Sequence, residues 1–328
     1  MKKMFVFGFI FVVAFMLVSN PFTTEYLSNM KGSSFSVSKP KDSLFQEIVL
    51  KSEEYEVPPS DAKIDPIWKA IPGYNGLKVD AEASYKKMKS SGEFVEDKLV
   101  FRQIKPKVHL DELPPAPVYK GHPDKPMVSF IINVAWGNEY LSEMLATLKS
   151  HHIKATFFLE GRWVQKNPEL AKLIADAGHE VGNHSFTHPD LKVSSTTKIR
   201  QEIMRTNEVI KATTGLNPEW FAPPSGSFRD EVISVAAEEK MGTIMWSVDT
   251  VDWQKPSPDV LINRVMSKVH NGAIILMHPT SSTAKSLDQL IVRIKGKGLQ
   301  IDTITELLNE DRIMENFPEG KIEKKPKN

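Results

Sequence analysis

From Met127 onward the chain alternates between short apolar runs and amphipathic stretches, and this alternation restricts its fold more than any other feature. The apolar runs are MVSFIINV (127–134), ATFFL (155–159), EVGN (180–183), EWFA (219–222), TIMWSV (243–248), AIILM (273–277) and LQIDTI (299–304). Between the first two, Leu141, Met144, Leu145 and Leu148 fall at i, i+3, i+4 and i+7, one face of a helix. Asn167-Pro168 opens a second helix that Gly178 stops, and Ile199, Ile203 and Ile210 mark a third that ends at Gly215. Further helices are expected near Asp230–Lys240, from Pro258, and over Leu287–Lys297. A strand left through a helix is re-entered from the same end, so about seven such units require a parallel α/β sheet, open or rolled into a barrel.

The rest of the chain divides around this region. Lys2 and Lys3 precede the apolar run Met4–Val18, so residues 1–22 read as a signal peptide or an N-terminal membrane anchor. That predicts an exported protein whose contact with a membrane is through this segment alone. Residues 23–112 form a small N-terminal α+β region, partly irregular, with Asp80 capping a helix over DAEASYKKMKSSG. Residues 113–125, with Pro114, Pro115, Pro117 and Pro123, read as a linker. The alternating domain covers 126–309, and 310–328 is a polar tail. A net charge of +1 argues against nucleic acid as a partner, and the absence of cysteine removes disulfides and thiolate chemistry.

Chemistry in alternating folds collects where strands end. After EVGN comes His184-Ser185-Phe186-Thr187-His188, after EWFA comes Pro223-Pro224-Ser225-Gly226, after TIMWSV comes Asp249-Thr250-Val251-Asp252-Trp253, and after AIILM comes His278. Two histidines four apart have metal-ligand spacing, and acids and a third histidine gather at the same edge. Trp246 reads as a core aromatic and Asp252 as a cap for the segment before Pro256. His109, His122, His151, His152, His179 and His270 read as surface or turn residues.

GHEVGNHSFTHPDL (178–191), WSVDTVDW (246–253), ILMHP (275–279) and KATFFLEGRWV (154–164) together resemble the motifs of the polysaccharide deacetylases, the NodB-homology domains of carbohydrate esterase family 4. The resemblance covers about 126–309, and its nearest flavour is similar to the exported, sporulation-associated deacetylase-like proteins of Gram-positive spore formers. It implies a distorted (β/α) barrel of about seven strands acting on an N-acetylated cell-wall glycan, peptidoglycan or chitin-like. It implies a divalent metal, usually zinc, held by His184, His188 and an aspartate. By the same resemblance His278 is the general acid, Asp249 its orienting partner, and Trp253, Pro223 and Pro224 line a substrate groove.

The family's first motif is T-F-D-D-G, and here it is Asn133-Val134-Ala135-Trp136-Gly137. Ala135 stands at the catalytic base and Trp136 at the metal-binding aspartate, while Ala222 replaces the arginine of R-P-P-Y-G. Asn133, Asn138, Glu139 and Asp230 are alternative oxygen donors. Loss of a general base typically forfeits about 10²–10⁴-fold in rate. Two functions stay open: a metal-dependent N-deacetylase, and a glycan-binding protein of the same fold without turnover.

Overall fold

A computed structural model describes residues 43–314, so the segment 1–22 and most of the tail 310–328 lie outside the described residues. The N-terminal unit contains α1 (Ser43–Ser52), the antiparallel pair β1 (Lys63–Asp65) and β2 (Lys69–Ile71), then β3 (Gly76–Val79), α2 (Ala81–Met88) and β4 (Phe101–Ile104). β3 and β4 are antiparallel, and Leu44, Ile48, Val79, Met88 and Leu99 form a small core beneath the two helices. Asp80 caps α2 by accepting a bond from the Ala83 N–H, as expected of a carboxylate at a helix start.

The alternation from Met127 onward gives a curled parallel sheet wrapped by helices, a distorted (β/α) barrel. Its elements are β5 (Met127–Val134), α3 (Asn138–Ser150), β6 (Thr156–Leu159), α4 (Gly161–Lys166), α5 (Pro168–Asp176), β7 (Glu180–Asn183) and α6 (Thr196–Thr214). There follow β8 (Trp220–Phe221), α7 (Asp230–Glu238), β9 (Gly242–Thr243), β10 (Val248–Asp249), α8 (Pro258–Met266), β11 (Ile274–Met277), α9 (Ser281–Gly296), β12 (Gln300–Asp302) and α10 (Ile304–Leu308). The strand order is β10-β11-β5-β6-β7-β8-β9, with β12 pairing the first residues of β5.

Parallel strands covered on both faces are apolar throughout, and every residue of β5 is buried. Alternate residues sort into two cores. Val128, Phe130, Ile132 and Val134 pack outward against the helices, with Leu141, Leu148 and Leu287. Met127 and Ile131 pack inward with Phe158, Ala222, Ile274 and Leu276. The same parity turns Ser129, Asn133 and Ala135 inward.

Two elements differ from expectation. TIMWSV is not one strand: β9 ends at Thr243 and β10 begins at Val248, because Val118 takes the intervening backbone. The Val118 N–H donates to the Thr243 carbonyl at 2.9 Å and its own carbonyl accepts from Met245 N–H at 2.8 Å. The helix expected over Leu287–Lys297 starts at Ser281, where the Thr280 hydroxyl accepts the Thr283 N–H. Its first turns, SSTAK, carry no apolar period to announce them.

Residues 113–125 run along the barrel, with Val118 in the interior cluster and Lys125 only 1% exposed. The Lys125 ammonium donates to the carbonyls of Glu306 and Asn309 and to Asn309 Oδ1, at 2.6, 2.8 and 2.7 Å. Burial lowers its pKa to about 8 against the pull of Glu306, and three bonds satisfy its three donors. Ala70, Val118, Leu307 and Leu308 close the foot of the barrel. Arg312 beyond them lies over the Tyr74 ring at 4.2 Å and donates to the Asn75 carbonyl, joining the chain after α10 to the N-terminal unit.

His122 and His179 are not surface residues as expected: they are 6% and 5% exposed. His122 stacks on Tyr74 at 4.8 Å, and His179 Nδ1 accepts the Ala155 N–H. Burial pushes both pKa values down, that of His179 to about 4. An unfolded histidine takes up a proton near pH 6.5, whereas folded His179 resists until about pH 4. Stability therefore is complete above about pH 6.5 and falls as pH drops toward 4, by up to about 3 kcal/mol from this residue. Urea unfolding at pH 7.0 and 4.5 measures the fall, and His179→Gln, which keeps an acceptor for Ala155 and removes the titration, is expected to shrink it.

Candidate functional site

The C-terminal ends of the parallel strands open at one mouth, and the inward parity brings Ala135, Glu160, His184, Ala222 and His278 to it. His184 follows β7 and is 2% exposed. Its Nδ1 lies 2.8 Å from the Ala222 carbonyl, which can only accept, so Nδ1 carries the proton and Nε2 keeps its lone pair. Burial, then the neighbouring His188, push the His184 pKa down to about 3 and hold the ring neutral. The two rings meet edge to face with centroids 5.0 Å apart, as the HxxxH spacing suggested.

The loop that carries them is strained and tightly held. Ser185 and His188 both have left-handed φ, 61° and 55°, a conformation that costs of order 1 kcal/mol or more for a non-glycine residue. What holds them is Glu202 on α6, 1% exposed. Its carboxylate accepts the N–H groups of Phe186 and Thr187 at 2.8 and 2.6 Å and the Thr187 hydroxyl at 2.8 Å, and Lys198 pairs with it at 2.6 Å. Burial raises the Glu202 pKa, but Lys198 and the Thr187 bonds outweigh it and keep the carboxyl below its ordinary value. This residue was not anticipated from the sequence. Its signal is a carboxylate at i+3 from Ile199, next to Ile203, on the apolar face of its helix.

His278 requires a correction. Its partner is Asp252, not Asp249. Asp252 is fully buried and its Oδ1 lies 2.8 Å from His278 Nδ1. Its Oδ2 accepts the His278 backbone N–H at 2.6 Å and the Thr283 hydroxyl at 2.6 Å. The Asp249 carboxylate instead accepts the Val251 N–H at 2.7 Å, an Asx turn. Val251 then takes φ 52°, and the 3-10 turn Asp252–Gln254 swings Asp252 beneath the imidazole. Pro223 and Pro224, expected to line a groove, are buried, whereas Trp253 is 56% exposed beside Asp252.

The altered half lies opposite. Ala135 is half-buried, and Ala222 is 1% exposed. Trp136 is 49% exposed, and its ring runs within 8° of parallel to His278 with centroids 6.0 Å apart. Gly137 turns the chain at φ 83°, and a Cβ there would come within 2.0 Å of the Pro279 carbonyl oxygen, so the turn after β5 rests directly on the His278 loop. A cleft of about 570 Å³ opens on the other side, between Ala135, Trp136, Glu160, Arg162 and Lys166. A wider cavity of about 1280 Å³ lies at the foot of the barrel, away from these residues.

These residues do not fit a zinc site. Such sites use three protein ligands, and among the described residues no three His, Cys, Asp or Glu side chains gather to hold a metal. Of the four alternative donors, Asn133 keeps an unpartnered Oδ1 but is a neutral amide that supplies no anionic ligand, and the other three do not repair this. The Asn138 side chain is spent on Trp163 Nε1 and Asn167, at 2.6 and 2.8 Å. Glu139 and Asp230 are exposed helix-start residues. Glu160, after β6, caps α4 through the Trp163 N–H at 2.5 Å and pairs with Arg162 at 3.4 Å.

A family profile described as polysaccharide deacetylase matches residues 120–244. The Bacillus subtilis protein YlxY is 57% identical over 94% of this chain and 97% of its own. A peptidoglycan-N-acetylglucosamine deacetylase of Bacillus cereus is 34% identical over 53% of this chain and 65% of its own. Among solved structures, a Bacillus anthracis protein described as a CE4 family pseudoenzyme is 56% identical and superposes with a TM-score of 0.79, covering 83% of this chain and 97% of that one. A mutant of it is described as having restored enzymatic activity.

Glu202→Ala leaves two loop N–H groups without their acceptor and is expected to cost about 2–4 kcal/mol in stability. Thermal melts compared with wild type measure it, and amide exchange should rise first at Phe186 and Thr187.

Proposed function

Because this chain belongs to the polysaccharide deacetylases of carbohydrate esterase family 4, we propose that it is an exported member that binds an N-acetylated cell-wall glycan without turning it over. One observation carries the proposal. The strand end that supplies the base and the anionic metal ligand in the family holds Ala135 and Trp136, and Trp136 lies against His278.

What remains cannot complete a hydrolysis. Asp252 holds His278 through two bonds and fixes which nitrogen faces the mouth, as a proton donor to a leaving amine requires. His184 is kept neutral with Nε2 free. No carboxylate stands where a water would be deprotonated, and the family's metal, which would polarise the acetamide carbonyl, lacks its third ligand. The mouth keeps shape, an exposed Trp253 and the buried frame of the acid half, which suffice to bind. The pseudoenzyme description of the Bacillus anthracis relative supports this reading, and the glycan named for the Bacillus cereus relative supports the choice of ligand. The apolar Met4–Val18 after Lys2 and Lys3 supports export.

With zinc or cobalt added, the natural chain is expected to release no acetate from N-acetylglucosamine oligomers while binding them in calorimetry. Ala135→Asp, Trp136→Asp and Ala222→Arg together are expected to bring in one zinc by metal analysis and measurable acetate release. Acetate release by the natural chain that His278→Ala abolishes would overturn the proposal.

A further inference from the structure

We propose that the altered half of the mouth is a subsite for the intact acetamido group of an N-acetylated sugar, in which Asn133 reads the amide and Trp136 supports the sugar ring. This rests on the glycan-binding reading above and names the residues that replace catalysis with recognition.

The first observation is Asn133 itself. It is 5% exposed on β5, and its Oδ1 has no hydrogen-bond partner. An unsatisfied buried polar atom costs about 1–3 kcal/mol, so a native structure that keeps one invites a ligand to satisfy it. Four other side-chain atoms among the described residues share this condition: Asn75 Oδ1, Ser129 Oγ, Thr243 Oγ1 and Thr250 Oγ1. Asn75 belongs to the N-terminal unit, and Ser129 lies toward the foot of β5. Thr243 pairs with the outward Phe221, and Thr250 follows the inward Asp249, so both have outward parity. Only Asn133 is inward and at the mouth.

Its neighbours define the space it faces. Asn133 pairs with Phe158 on β6, and Ile132 pairs with Met277 on β11, which sets Asn133 level with His278. Ala135 is the next inward residue above it and offers a methyl group where the family has a carboxylate. On β5 the wall itself is neutral, amide below and methyl above with the indole at the side, and the charged Glu160, Arg162 and Lys166 line the cleft next to it. A carboxamide can accept from an acetamido N–H and donate to its carbonyl, which a carboxylate cannot do.

A second, independent observation concerns the aromatic surface. Among the described residues, Trp136 and Trp253 are the exposed aromatic side chains, at 49% and 56%. Trp136 stacks on the His278 ring, and Trp253 follows in sequence the Asp252 that bonds to that ring. Exposed indoles give large, rigid contact faces at little entropic cost. The Trp136 indole, three residues after Asn133 at the same strand end, matches a sugar, which presents a C–H face for the ring and an acetamido arm for the amide.

Calorimetry on the full chain with a tetramer of N-acetylglucosamine, and with the tetramer of glucosamine, tests the subsite. Wild type should prefer the acetylated tetramer. Asn133→Ala should lower that affinity about fivefold to tenfold and leave the glucosamine tetramer unchanged, since it removes one amide contact. Its thermal stability should stay level or rise, because the deleted amide bonds to nothing in the free protein. Trp136→Ala should weaken both ligands about tenfold or more, with Trp136→Phe restoring most of the loss. Unchanged affinities in both alanine variants, or a marked fall in stability on Asn133→Ala, overturn the subsite while glycan binding stands. If wild type binds neither tetramer, the glycan-binding reading falls and the subsite falls with it.

Discussion

Strand β5 hydrogen-bonds to β6, β11 and β12, and none of its eight residues faces solvent. Because side chains alternate between faces, a slip of one residue would exchange the inner and outer cores together. Burial on both sides therefore fixes the register, and the register fixes which side chains reach the mouth. Asn133 and Ala135 are delivered there by Met127 and Ile131 beneath them, and His278 by Ile274 and Leu276 on the neighbouring strand. The helices and loops outside elaborate an arrangement that this pairing has already set.

The three replaced positions, Ala135, Trp136 and Ala222, form a physically consistent set. A carboxylate at the inner wall needs a cation or several donors, and an arginine at the site of Ala222, which is 1% exposed, needs an acid. Removing either partner alone leaves a buried unpaired charge, a cost of several kcal/mol. Replacing both with alanine removes the cost entirely. The Ala222 carbonyl still accepts the hydrogen bond of His184 Nδ1–H, so the histidine loop keeps its anchor without the arginine of the family's pattern. Trp136 adds apolar contact with His278 where a metal ligand would otherwise draw charge.

Much of this was legible from the chain. The strand-helix alternation, the positions of His184, His188 and His278, and the altered first motif are all local patterns, and the structure places them at one mouth. Three features were not. Asp252 rather than Asp249 partners His278, because a left-handed Val251 turns the backbone between two aspartates that look equivalent in sequence. TIMWSV reads as one strand, yet Val118, more than a hundred residues earlier, interrupts it by taking two of its backbone bonds. Glu202 sits on the apolar face of its helix beside Ile199 and Ile203, which marks it as a buried acid, but only the strained loop it supports tells what it holds. Each depends on a backbone dihedral or a distant partner, which residue types alone do not encode.

The closed foot of the barrel has its own consequence. Ala70, Val118, Leu307 and Leu308 fill that end, and Arg312 on Tyr74 ties the chain there to the N-terminal unit. The barrel is thus a cup and not a tube. A polymer cannot thread through it and has no second exit, so any glycan strand must pass tangentially across the rim, offering one residue at a time to the hollow. Such a surface suits contact along the side of a long strand better than capture of its free end.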